Sequence, residues 1–242
     1  MERDLPIILE KHGGIAVITL NAPPLNLQTL RSMELLERIV IGLRHDAETR
    51  CVVITAAGDR VFCAGSDVKE FPELRGNFVE EKLRRENAVF SRINELPMPV
   101  VAALNGAAMG GGAELALCCD FRIMSETAKI GFPEINLGNF PGSGGPFRLS
   151  GAISGYRAFE LMSLATVLSA EEALNLGLVW RVAPQGEVLP RALELASGLC
   201  SKDPEALRRI KALVRAAHRL SAEEAADLSM KFAEELIDLK NQ

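Results

Sequence analysis

Cys51-Val52-Val53-Ile54-Thr55-Ala56 is an unbroken run, too continuous for a strand with one wet face, and it predicts a strand buried on both sides. Upstream, Ile15-Ala16-Val17-Ile18-Thr19-Leu20 is a second β-branched run. It is opened by Gly13-Gly14 and closed by Asn21-Ala22-Pro23-Pro24, which cannot continue a ladder. Between the two, from Leu30, apolar residues recur at Met33, Leu36, Ile39, Val40 and Leu43, the spacing of a helix with one apolar stripe. Strand, helix and strand predict an α/β body. A third run, residues 99–104, ends at Asn105-Gly106 and opens into Gly110-Gly111-Gly112, followed by a helical stretch through Ala113, Leu115, Ala116 and Leu117. Beyond Pro190 the β-rich runs stop. Residues 204–219 and 222–239 predict two amphipathic helices with apolar faces such as Leu207, Ile210, Leu213 and Val214. No repeat of fixed period and no low-complexity segment is present.

The 242 residues, 48% hydrophobic and 24% charged, suffice for a sizeable core without staples. A net charge of -5 provides no overall cationic field, so neither nucleic acid nor a membrane surface is an expected partner. The one basic cluster, Arg208, Arg209, Lys211, Arg215, His218 and Arg219, reads first as the solvated side of a helix. The five cysteines, Cys51, Cys63, Cys118, Cys119 and Cys200, lack zinc-binding spacings and read as reduced core residues, so no metal is expected. Residues 1–9 carry charges and no apolar h-region, which makes the cytoplasm the expected location.

Two loops carry candidate chemistry. In Phe62-Cys63-Ala64-Gly65-Ser66-Asp67-Val68-Lys69-Glu70, the small residues let a substrate carbonyl approach the main chain. Gly110-Gly111-Gly112 precedes a helix, whose free N–H groups favour negative charge developing on an oxygen. Either loop alone also reads as a structural turn; two together can form an oxyanion hole. Glu114 falls in the first turn of that helix. Glu134, in Gly131-Phe132-Pro133-Glu134-Ile135, is an acid in an apolar segment, where burial raises a carboxyl pKa. Two such carboxyls can divide acid and base roles. The sequence holds no G-x-S-x-G around Ser66 or Ser143, no P-loop and no H-E-x-x-H.

Both loops resemble the enoyl-CoA hydratase/isomerase family, the crotonases. So do Leu117-Cys-Cys-Asp-Phe-Arg122, Gly131-Phe-Pro-Glu-Ile-Asn-Leu-Gly138, Pro141-Gly-Ser-Gly-Gly145 and Ala170-Glu-Glu-Ala-Leu-Asn-Leu-Gly-Leu-Val179. The resemblance covers residues 15–182, with Glu114 and Glu134 at the spacing seen in hydratases. It implies an α/β fold: a crotonase-like spiral of ββα turns with the CoA and active site over residues 1–190, and a C-terminal helical trimerisation region over residues 191–242. It further implies a homotrimer or homohexamer, an acyl-CoA substrate, and no cofactor beyond the coenzyme A that enters with the thioester. By similarity the amides of Ser66 and Gly111 form the oxyanion hole and Glu114 with Glu134 hold a water. Leu25, Ala64, Ser66, Asp67, Val68 and Lys69 are the expected contacts to CoA.

The implied reaction is syn addition of water to a 2-enoyl-CoA. The family's double-bond isomerases generally keep only the later glutamate, so the pair favours hydratase over isomerase or decarboxylase chemistry. Two departures stand out. Pro23-Pro24-Leu25-Asn26 replaces a segment in which hydratases often carry a lysine, which leaves more of the phosphate contact to Lys69. Relatives also commonly continue past a helix like Phe232-Ala-Glu-Glu-Leu236 into a further segment that helps cover the substrate, whereas this sequence ends at Gln242. Acyl specificity is expected in residues 71–90 and at Phe140.

Overall fold

The structure, a computed structural model, describes residues 5–74, 76–217 and 219–240. Gln242 and the His218 of the basic cluster lie outside the described residues, as do residues 1–4 of the N-terminal segment read above.

The run Cys51–Ala56 is strand β3, and all six of its residues are buried. In chain order β1 (Ile7–His12) and β2 (Ile15–Leu20) precede it, with helix α1 (Leu30–Arg44) between β2 and β3. Beyond it come β4 (Val61–Cys63), α2 (Arg85–Asn94), β5 (Val100–Leu104), β6 (Ala107–Met109), α3 (Gly111–Leu117), β7 (Phe121–Ser125) and β8 (Lys129–Gly131). Then follow α4 (Gly145–Ala152), α5 (Gly155–Ser163), β9 (Val167–Ser169), α6 (Ala170–Asn175), β10 (Arg181–Ala183), α7 (Val188–Cys200), α8 (Pro204–Ala216) and α9 (Ala222–Lys240).

One sheet has the order β1-β2-β3-β5-β7-β10 and the other β4-β6-β8-β9. The pairs β3/β4, β5/β6 and β7/β8 each place their first strand in the larger sheet and their second in the smaller, and α2, α3 and α4 follow them in turn. This is the spiral of ββα turns that the resemblance implied. The turns repeat in space but not in sequence, because a buried strand position demands only apolar volume.

Alternation along β3 shows why its run is unbroken. Val52 and Ile54 face a core with Leu36, Leu43, Phe62, Phe90, Leu104 and Leu115. Cys51 and Val53 face a second core, completed by Val101, Ile123 and the Val188, Ala192 and Ala196 stripe of α7. Each fully buried Val or Ile contributes roughly 1.5–3 kcal/mol relative to exposure.

Two readings change. Strand β1 was not anticipated; it pairs antiparallel with β2 from Ile7↔Leu20 to His12↔Ile15. Gly13 and Gly14, both at positive φ (55° and 86°), form the two-residue turn that joins them. The basic cluster is not simply a solvated face. Lys211 Nζ lies 2.8 Å from Asp120 Oδ2 and Arg215 Nη2 lies 2.6 Å from Asp120 Oδ1, so Asp120 docks α8 onto the body. Arg209 is buried between Glu205 and Glu235, while Arg208 and Arg219 are exposed as expected. The cysteines are free, four of them buried and Cys200 half-buried; burial pushes the thiols of Cys63 and Cys118 up to about 12. Among the described residues no helix is long and apolar enough to cross a membrane.

Candidate active site

The first glycine loop leaves the smaller sheet at the end of β4. Gly65 takes φ 97°, a conformation that favours glycine because it has no Cβ. A Cβ there would also stand 3.1 Å from Met109 O and 3.3 Å from Gly111 N, so the two loops lie back to back. Gln28 forms a parallel bridge with Ser66: Gln28 N donates to Gly65 O (2.9 Å) and Asp67 N donates to Gln28 O (3.1 Å). In a parallel pairing of this register the flanking residues take the bonds, and the amide of Ser66 itself turns to the opposite side.

The second loop leaves β6. Gly110 N is anchored on Gly131 O of β8 (2.9 Å), and α3 starts at Gly111, whose amide is one of the first-turn donors without a partner inside the helix. Gln28 Nε2 donates to Gly111 O at 2.9 Å, and a Cβ on Gly111 would collide with Gln28 Oε1. A glycine is required here by that close approach.

A cavity of about 140 Å³ opens on these loops, walled by Ser66, Gly111, Glu114, Glu134, Glu86 and Ser143 among others. Glu114 reaches it from the first turn of α3 and is 3% exposed. Its Oε1 accepts from Gly145 N at the start of α4 (2.8 Å). Burial drives its pKa from 4.5 up to about 8; the Gly145 N–H opposes that rise, and the nearby carboxyls of Glu134 and Glu86 add to it. Glu134 arrives from the 3-10 helix Pro133–Leu137, with Oε1 3.0 Å from where a Cβ on Gly110 would stand. Its Oε2 is buried with no partner among the described residues, and burial raises its pKa. Two carboxyls whose charged forms are disfavoured, on one small cavity, can serve as proton donor and proton acceptor to a molecule held between them.

The expected CoA contacts separate. Ala64, Ser66 and Val68 lie on the cavity wall. Leu25 sits beside the cavity loop, its carbonyl accepting from Ala64 N (3.0 Å), but it is exposed. Asp67 turns back to accept from Lys69 N (3.0 Å), and Lys69 is exposed; neither lines the cavity. Glu70, part of the same motif, accepts from Leu30 N at 3.0 and 3.2 Å and so holds the start of α1. Phe140, expected to bear on acyl specificity, lines the cavity and is largely exposed.

Three polar groups at the site were not foreseen: Gln28, Lys82 and Glu86. Lys82 and Glu86 lie in a stretch with six charges within seven residues, Glu80 to Glu86, which reads as a wet helix. Only the four-residue spacing of Lys82 and Glu86 hints at a pair.

The family model described as enoyl-CoA hydratase/isomerase matches residues 10–241. The chain is 41% identical over 212 residues to a short-chain-enoyl-CoA hydratase of Clostridium acetobutylicum, covering 85% of this chain and 79% of that protein. It is 39% identical over 210 residues to a crotonyl-CoA hydratase of Syntrophomonas wolfei, covering 85% and 80%. The crystal structure of an enoyl-CoA hydratase from Bacillus anthracis superposes with a TM-score of 0.93 at 34% identity, over 96% of this chain and 91% of that one. The repeated ββα turns, the glycine loops and the sequence match along nearly the whole length agree, and the chain belongs to the enoyl-CoA hydratase/isomerase family.

Proposed function

We propose that the chain adds water, syn, across the double bond of a 2-enoyl-CoA thioester. The observation that carries this reading is the presence of two carboxyls, Glu114 and Glu134, on one small cavity, both with proton affinity raised by burial. An isomerisation needs one such group to move a proton along the acyl chain; hydration uses a second to handle the water.

In this reading the amides of Ser66 and Gly111 receive the thioester oxygen. Charge builds on that oxygen as water attacks Cβ, and a main-chain donor aimed at it stabilises the transition state by about 2.7–4 kcal/mol. Glu114 and Glu134 hold the water between them. One takes its proton as the O–Cβ bond forms, and the pair delivers a proton to Cα as the enolate collapses, so one water is added and nothing is oxidised or reduced. The CoA moiety, which enters with the substrate, runs past Ala64, Ser66 and Val68 on the cavity wall, with Leu25, Asp67 and Lys69 outside the cavity beside them. The chain works as a homotrimer or homohexamer through its C-terminal helices. In support, Ile210, Val214, Met230, Ile237 and Leu239 of α8 and α9 are exposed.

The test is hydration of crotonyl-CoA, with the product identified by mass and stereochemistry. Glu114→Gln and Glu134→Gln should each abolish most turnover while leaving thioester binding nearly unchanged. Near-normal turnover in both variants would reject the mechanism.

A further inference from the structure

Residues 79–84 wind as a π-helix that runs into α2. Its outer charges pair at the surface, Arg84 with Glu80 and Arg85 with Glu81. Lys82 instead turns inward, its side chain fully buried. The ammonium donates to Gln28 O (2.6 Å) and lies 3.0 Å from Glu86 Oε1 and 3.5 Å from Glu70 Oε2. Glu86 is 2% exposed, and both its oxygens are occupied: Oε1 accepts from Ser66 Oγ (3.0 Å) and Oε2 from Ser143 Oγ (2.8 Å).

A fully buried ion pair is a weak source of stability, since well-packed apolar residues of similar volume commonly do as well or better. What distinguishes this pair is what it touches. Ser66 belongs to the first glycine loop. Ser143 stands two residues before Gly145, whose amide holds Glu114. Gln28, gripped through its carbonyl by Lys82, pairs with Ser66 by backbone and with Gly111 by side chain. Glu86 is itself part of the cavity wall.

We propose that the Lys82–Glu86 pair is the positioning device of this site, clamping the Ser66 loop against the Ser143 loop and, through Gln28, the start of α3. The two main-chain donors and Glu114 thereby keep their relative placement without either charged residue entering the chemistry. The proposal rests on the hydratase reading. The carboxylate of Glu86 has a second effect, because it is among the groups that raise the proton affinity of Glu114.

The experiment compares wild type with Glu86→Gln and with the double variant Lys82→Met/Glu86→Leu, which removes both charges at similar volume and so leaves no lone buried ion. On crotonyl-CoA, kcat per folded enzyme should fall about 10- to 100-fold, the scale of a small misplacement of reacting groups, with KM almost unchanged. The alkaline limb of the kcat profile should move to lower pH in Glu86→Gln, where a negative charge beside Glu114 has gone, and stay nearer wild type in the double variant, where the Lys82 charge goes with it. A merely structural pair would change the unfolding midpoint and leave kcat in place in both variants and the pH limb in place in Glu86→Gln, and that result overturns the proposal, as would failure of both variants to fold. A wild type that hydrates no enoyl-CoA would instead overturn the hydratase reading itself.

Discussion

Replacing Glu114 with glutamine should make the protein more stable while removing its activity. In the folded chain the Glu114 carboxyl is raised to about 8 from 4.5, chiefly by burial. Folding at pH 7 therefore takes up a proton at this residue, against a pH 2.5 units above the ordinary carboxyl value. At about 1.36 kcal/mol per unit that uptake costs about 3 kcal/mol, as an order of magnitude. Because the folded-state pKa is the higher one, the stability associated with the protonated group is fully present below about pH 4.5. It is lost as pH rises toward 8. Glutamine is neutral in both states, can still accept from Gly145 N, and bears no such cost. In urea, with a slope of about 2 kcal/mol per molar, the Gln variant should unfold about 1.5 M later than wild type at pH 7, but less than about 0.5 M later at pH 5. Groups away from the cavity titrate alike in both proteins, and Glu134 and Glu86 couple to Glu114 only where it is charged, so the change in the difference reports on Glu114 and its immediate carboxyl neighbours. Coincident midpoints at both pH values, or a gap that does not shrink at pH 5, would refute the claim that Glu114 is buried and protonated. A gain in stability with loss of turnover is the usual mark of a group kept for chemistry.

Two further outcomes follow from the geometry. Gly111→Ala places a Cβ on Gln28 Oε1 and should lower kcat for hydration by about 10²-fold, the loss typical of one displaced oxyanion donor; an unaltered kcat would remove Gln28 from the site. Asp120→Ala removes the carboxylate shared by Lys211, Arg215 and Val100 N, leaving Lys211 on Met98 O and Arg215 on Asn94 O. It should cost about 1.5–3 kcal/mol in urea unfolding, with earlier proteolytic release of α8; a loss under about 1 kcal/mol would show that α8 is held by other contacts.

Local pattern carried much of this protein. The continuous run at Cys51–Ala56 announced a strand covered on both faces, since a strand's two-residue period converts uninterrupted apolarity into two buried sides. The stripe from Leu30 announced α1, and the glycine loops announced where the main chain could be approached. Glu114 was legible from its place in the first turn after the glycine loop, and Glu134 because an acid in an apolar segment is rare enough to ask for a reason. Tertiary structure decided what distance in sequence hides. Twenty residues separate the two glutamates, and only the crossing of α3 with the loop after β8 sets both on one cavity. Asp120 turned half of a basic helix face inward, which helical spacing alone could not tell from a wet surface. Lys82 and Glu86 sit among Glu80, Glu81, Arg84 and Arg85, chemically alike in sequence. Burial is a property of the surrounding fold rather than of the residue, so only the packed chain separates the pair holding Ser66 and Ser143 from the charges that face water.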